Sequence, residues 1–115
     1  MGNIPAAKIS PRLEFGILKW YAGDTFSVQV NLNFTDRSGH EVTLTAEDTA
    51  RVRFYTVTGS TVEDLTFEDL SAGFVTLEFD EARSGKFPRG RYLYDIVVTH
   101  ENVTTAAKGN RILVE

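Results

Sequence analysis

Five apolar residues at every second position, Phe26, Val28, Val30, Leu32 and Phe34, alternate with Ser27, Gln29, Asn31 and Asn33. A period of two puts one set on each face of a strand, so this run predicts a half-buried antiparallel strand. The alternation recurs at Leu13, Phe15 and Ile17, at Val42 and Leu44, at Val52 and Phe54, and at Val75, Leu77 and Phe79. It closes with Tyr92, Tyr94, Ile96 and Val98, and then Ile112 and Val114. Turn signals separate these runs, among them Ala22-Gly23-Asp24, Asp36-Arg37-Ser38-Gly39, Thr58-Gly59-Ser60-Thr61, Ser71-Ala72-Gly73 and His100-Glu101-Asn102. Short strands punctuated every ~8–12 residues are the rhythm of a sandwich or barrel. No stretch longer than one turn has a helical period, and no βαβ pattern calls for a parallel sheet. The expectation is all-β, with about seven to nine strands.

The boundaries follow from the same pattern. Leu13 to about Tyr21 reads as one strand, His40–Thr45 as a short one, and Asp80–Arg91 as the longest irregular loop. Residues 62–70 are ambiguous between strand and loop, residues 46–50 between a helical turn and a loop, and Gly109-Asn110 predicts a bulge or a kink. Residues 1–11, with Pro5 and Pro11 and no period, read as an extended arm. Residues 12–115 then form one domain, long enough to bury a core.

The chain has no cysteine, which excludes disulfides and thiolate-bound metals. No apolar run is long enough to span a bilayer, and the first residues lack the layout of a signal peptide. These features predict folding in a reducing cytoplasm and no membrane partner. A net charge of −4 is the wrong sign for neutralising phosphates, so no nucleic acid is expected. The charge is unevenly spread: Arg83, Lys86, Arg89 and Arg91 follow an acidic stretch holding Glu63, Asp64, Glu68, Asp69, Glu78, Asp80 and Glu81. Two solvated surfaces and an electrostatic docking site are both open readings.

Nothing in the sequence assembles a catalytic constellation. His40 and His100 sit at turns, and no nucleophile elbow accompanies the serines. The acidic residues lack a calcium-loop spacing. The expectation is a protein that is not an enzyme and has no metal site or cofactor. Trp20 and Tyr21 flank a turn, where they suit stacking on a sugar ring; for Trp20 the other reading is the core.

Gly90-Arg91-Tyr92-Leu93-Tyr94 resembles the Gly-x-Tyr-x-Cys of immunoglobulin strand F, with Tyr94 where the cysteine would stand. The resemblance implies an immunoglobulin-like antiparallel sandwich. Tyr92 would be the tyrosine corner, its hydroxyl bonded to backbone near Arg83 to Lys86, and Tyr94 would fill the volume of the cystine. Across residues 23–114 the order of features resembles the immunoglobulin-like domains of tailed-phage structural proteins. These features are Gly23-Asp24-Thr25, Val42-Thr43-Leu44-Thr45, Val52 with Phe54, Gly73-Phe74-Val75, Gly90–Ile96, Val103-Thr104-Thr105, Gly109 and Ile112-Leu113-Val114. The similarity is nearest to the N-terminal domain of baseplate upper proteins and to related tail-fibre and head modules. It implies a non-enzymatic virion component assembled in the bacterial host cytoplasm. The role would be head decoration, head fibre, or tail and baseplate adaptor, with other virion subunits as partners and self-association open. Baseplate upper proteins continue into long fibre regions whereas this sequence stops at Glu115, so the resemblance implies an adaptor, decoration or capping subunit. The contact candidates are Leu18, Trp20, Leu93 and Val97, apolar on the less regular parity, together with Tyr21, Arg83, Lys86 and Arg89. The rival expectation is a carbohydrate-binding or adhesion module using exposed aromatics.

Overall fold

The alternation at the start of the chain's cleanest run becomes β3 (Phe26–Asn31), which pairs antiparallel with β6 (Phe74–Phe79) in a two-stranded sheet. In this computed structural model, which describes residues 10–33 and 35–115, that sheet lies over a six-stranded one. The larger sheet takes β1 (Arg12–Glu14), β2 (Ile17–Trp20), β8 (Val103–Val114), β7 (Gly90–His100), β4 (Thr49–Thr56) and β5 (Thr61–Glu68), in that spatial order. The architecture is all-β and sandwich-like, eight strands in two sheets with one helical turn among the described residues. Phe34 and most of the expected arm, residues 1–9, lie outside the described residues.

Side chains from both inner faces make the core. Val75, Leu77 and Phe79 of β6 meet Trp20, Val52, Phe54, Ile96, Ile112 and Val114 of the large sheet. Trp20 is central: its ring centroid lies 5.2 Å from Phe26, 5.0 Å from Phe79 and 5.6 Å from Phe87. Tilted and edge-on pairs of this kind add to the burial of large apolar rings. Phe87 is fully buried from a loop position, so the segment before β7 acts as a plug on the core.

Several local expectations are corrected. The strand expected from Leu13 to Tyr21 is a hairpin, because Phe15 and Gly16 take φ values of 51° and 76° and turn the chain in two residues. Two successive positive φ values suit the right-handed twist of a hairpin. The turn leaves Phe15 95 % exposed. Residues 40–45 make only a bridge, Thr35 with Glu41. There the Asp36 carboxylate accepts from the Ser38 and His40 N–H groups, and Asp48 accepts from the Thr45 N–H at 2.7 Å. Such side-chain bonds divert backbone donors from a ladder. The long loop holds one helical turn, α1 (Glu81–Ser84), whose N-cap Asp80 accepts from the Arg83 N–H at 2.8 Å. Residues 61–68 resolve as the edge strand β5.

One pairing runs against the antiparallel pattern: β2 lies parallel to β8, with Ile17 opposite Arg111 and Trp20 opposite Val114. It brings an N-terminal hairpin against the last strand and creates the surface described next.

Candidate interaction surface

The strand β7 organises both faces of the large sheet. On the core side, Tyr92 is buried and its hydroxyl donates to the Pro88 carbonyl at 2.6 Å. The corner bond therefore closes on Pro88 and not on residues 83–86. Those residues belong to α1 and its cap, where Lys86 and Phe87 already donate their N–H groups to the Arg83 and Ser84 carbonyls. Tyr94 also faces the core, half-buried, with its ring 5.9 Å from Phe54. Burial raises the phenol pKa of both tyrosines.

On the other face, Asp95 holds an irregularity in place. Tyr94 pairs with Asn110 and Ile96 with Ala107, so β8 carries one residue more than β7 between them. Of the bulge or kink expected at Gly109-Asn110 the chain takes the bulge, with Gly109 at a φ of +70°. The Asp95 carboxylate accepts from the Gly109 N–H at 2.8 Å and from the Tyr55 hydroxyl at 2.8 Å. Asn110 Nδ2 donates to the Tyr94 and Ala107 carbonyls across the same bulge.

The solvent face divides by its arginines. Toward β5 they are engaged within the chain: Arg51 pairs with Asp64, and Arg53 donates to Thr61 Oγ1 and the Gly59 carbonyl at 2.8 Å each. Toward β2 the sheet forms an open concavity of about 390 Å³. Its floor is apolar, from Ile17, Val57, Leu93 and Leu113, and three cations, Lys19, Arg91 and Arg111, stand around it. Lys19 pairs with Glu14 at 2.8 Å. Arg91 and Arg111 have no ion pair or side-chain hydrogen bond among the described residues. Chemically the surface suits a segment carrying an apolar side chain and carboxylates.

The contact candidates scatter. Leu93 lines this concavity, and Val97 lies half-buried further along the same face, opposite Arg51 and Ala106. Leu18 and Trp20 are a correction: both are core residues, Trp20 with no exposed surface. Turning the chain at Phe15-Gly16 put the even positions of β2 inward. Tyr21 is half-buried beneath the Arg12 guanidinium, 5.0 Å from its ring centre. Arg83 and Lys86 both reach Glu63, at 3.4 and 3.1 Å. The basic loop and the acidic stretch are thus partly one internal cluster. Burial alone would raise the Glu63 pKa, but bonds from Lys86, the Asp64 N–H and Arg83 outweigh it and hold the carboxyl below its ordinary range. Arg89 is exposed.

Elsewhere, His100 Nδ1 donates to the buried Asp48 at 2.7 Å, and His40 is solvent-exposed beside Asp36. Among the described residues no three potential metal ligands stand together, and no helix is long and apolar enough to cross a membrane. Ile17, Arg111 and Leu113 were missed as surface residues. The parity of β8 marks Arg111 and Leu113 as outward, but only the parallel pairing sets them beside Ile17.

No family model and no curated protein matches the chain. Among solved structures, the chain is similar to the crystal structure of dimeric latent PorU from Porphyromonas gingivalis, at 21 % identity and a TM-score of 0.48. The match covers 80 % of this chain and 10 % of that one, so the chain spans about a tenth of the length of PorU.

Proposed function

We propose that the chain is a non-enzymatic, immunoglobulin-like structural module of a bacteriophage particle, working by protein–protein contact as head decoration, head fibre, or tail and baseplate adaptor. The phage setting rests on the ordered resemblance between residues 23 and 114. Contact as the mechanism rests on one observation, the apolar floor of Leu93, Leu113, Ile17 and Val57 with Arg91 and Arg111 left without partners beside it. A neighbouring subunit that inserts an apolar side chain and offers a carboxylate would use both features, and the rigid sheet beneath would cost little to order. The saccharide reading loses its main residue, since Trp20 is fully buried and Tyr21 is covered by Arg12.

The test is immunogold electron microscopy of purified phage particles, with antibody raised against this chain. Label at one fixed place on the particle is the expected result. Particles that carry no label, and no peptide of this chain by mass spectrometry, would overturn the proposal. Leu93→Glu should then reduce incorporation while leaving the isolated protein folded.

A further inference from the structure

The floor of the concavity is a grid set by strand register. On the solvent face, Ile17 of β2 lies beside Arg111 of β8, and Arg111 beside Leu93 of β7. Two residues along the strands, Lys19 lies beside Leu113, and Leu113 beside Arg91. Cation and apolar side chain therefore alternate both along the strands and across them. The four positions on β7 and β8 form a square, with Arg91 and Arg111 on one diagonal and Leu93 and Leu113 on the other. Such diagonals span roughly 7–8 Å.

Among the described residues no carboxylate completes this square. Arg91 and Arg111 have no ion pair or side-chain hydrogen bond there. Asp95, next along the same face of β7, already accepts from the Tyr55 hydroxyl and the Gly109 N–H. Glu14 takes Lys19 and Arg12, and Glu115 takes Arg12. Two guanidinium groups are thus left near each other over apolar side chains, in a chain whose net charge is −4. Like charges at that spacing oppose each other, and anions beside them relieve the repulsion.

Building on the concavity as the contact surface, we infer that its partner presents an extended acidic segment, with a carboxylate two residues to either side of one apolar side chain. In an extended segment every second residue shares a face, at a spacing of about 6.8 Å. The apolar side chain then sits between Leu93 and Leu113, and the carboxylates fall outward along the other diagonal. Arg91 and Arg111 are long enough to reach them, and each can hold a carboxylate by two parallel hydrogen bonds. The two intervening residues point to solvent, so their identity matters little. A lone phosphate or a single carboxylate would leave the apolar diagonal uncovered. A purely apolar segment would cover both guanidinium groups without pairing them, which costs free energy.

NMR titration of the isotope-labelled full chain with synthetic peptides tests it. The probe is Glu-Thr-Leu-Thr-Glu with blocked ends, too short to hold a helix. The controls are the reordered Glu-Glu-Leu-Thr-Thr and the charge-reversed Lys-Thr-Leu-Thr-Lys. The probe should shift the Arg91, Leu93, Arg111 and Leu113 amides with a Kd of about 1 mM or tighter. It should bind about tenfold more tightly than the reordered peptide, and the lysine peptide should not bind. Raising the salt from about 0.05 to about 0.5 M should weaken the probe several-fold. The double variant Arg91→Glu, Arg111→Glu should lose the probe and gain the lysine peptide. Its circular dichroism spectrum should stay that of the parent, since neither arginine is paired within the described residues. No shifts with the probe at about 10 mM would overturn the inference. So would equal binding of the reordered peptide, or binding that the double variant leaves unchanged. Labelled phage particles from a chain that ignores the probe would overturn this inference alone. Unlabelled particles with the probe bound as expected would overturn only the phage assignment.

Discussion

The Tyr92 hydroxyl reaches back four residues to the Pro88 carbonyl, at 2.6 Å, and ties the loop carrying Phe87 to the strand that follows it. Phe87 in turn lies within 5.7 Å of Trp20, Phe54, Phe79 and Tyr92, ring centre to ring centre. The bond therefore holds an aromatic plug in place from outside the regular sheet.

Tyr92→Phe keeps the ring and deletes only this bond. A neutral hydrogen bond contributes about 1 kcal/mol net, which for a domain of this size corresponds to a fall in Tm of about 5 °C. Differential scanning calorimetry measures it directly. An unchanged Tm would mean that packing of Phe87 alone fixes the loop.

Trp20→Ala empties the centre of the core. Replacing a fully buried large aromatic by alanine costs about 3–5 kcal/mol, a large share of the stability of a small domain. Urea unfolding followed by circular dichroism should show the midpoint displaced accordingly. Trp20→Phe should cost far less than the alanine change. It leaves a ring in place and removes a buried indole N–H that has no hydrogen-bond partner among the described residues.

Asp48 makes stability depend on acid. Its burial would raise its pKa, but bonds from His100 and Thr45 prevail and hold the folded-state carboxyl below its ordinary value. A depressed carboxyl contributes stability that is fully present above the unfolded value, about 3.9. That contribution is lost as pH falls through the lower folded one. Stability measured by urea unfolding between pH 7 and pH 2 should drop through that acid window. Asp48→Asn should be less stable at pH 7 and lack this component of the drop. Parallel curves for the two proteins would refute the assignment.

Asp95→Ala removes the acceptor shared by Tyr55 and Gly109. The Gly109 amide, held today by a carboxylate on the neighbouring strand, should exchange with solvent at least about tenfold faster, since a charge-assisted bond is among the stronger ones. Hydrogen exchange by NMR reads this residue by residue, and the β4–β7 ladder amides serve as the internal control.

The sequence was most informative where periodicity and burial agree. β3, β4, β6 and β7 lie where alternating apolar residues place them, because one inward face per strand is all that pattern requires. The turn at Asn102 and the irregularity at Gly109 were legible for a related reason: turns and bulges demand positive φ, which asparagine and glycine tolerate. Phe15 misled because it continues an apolar alternation while occupying a turn, and the error carried to Leu18 and Trp20, which changed face. Residues 40–45 alternate as well, yet local bonds to Asp36 and Asp48 claim their backbone. The concavity was hidden for a different reason. Its walls come from opposite ends of the chain, and no local pattern announces a parallel pairing between them.

That parallel pairing also sets the order in which the protein can come into being. Residues 17–20 are made early, but their sheet neighbours are residues 111–114. Until those emerge, Trp20 lacks both its flanking strand and the packing of Ile112 and Val114. The large sheet is therefore closed by one of the longest-range contacts the domain contains, a topology that folds slowly. On the ribosome, the N-terminal hairpin waits without its strand partner until residues 111–114 are made.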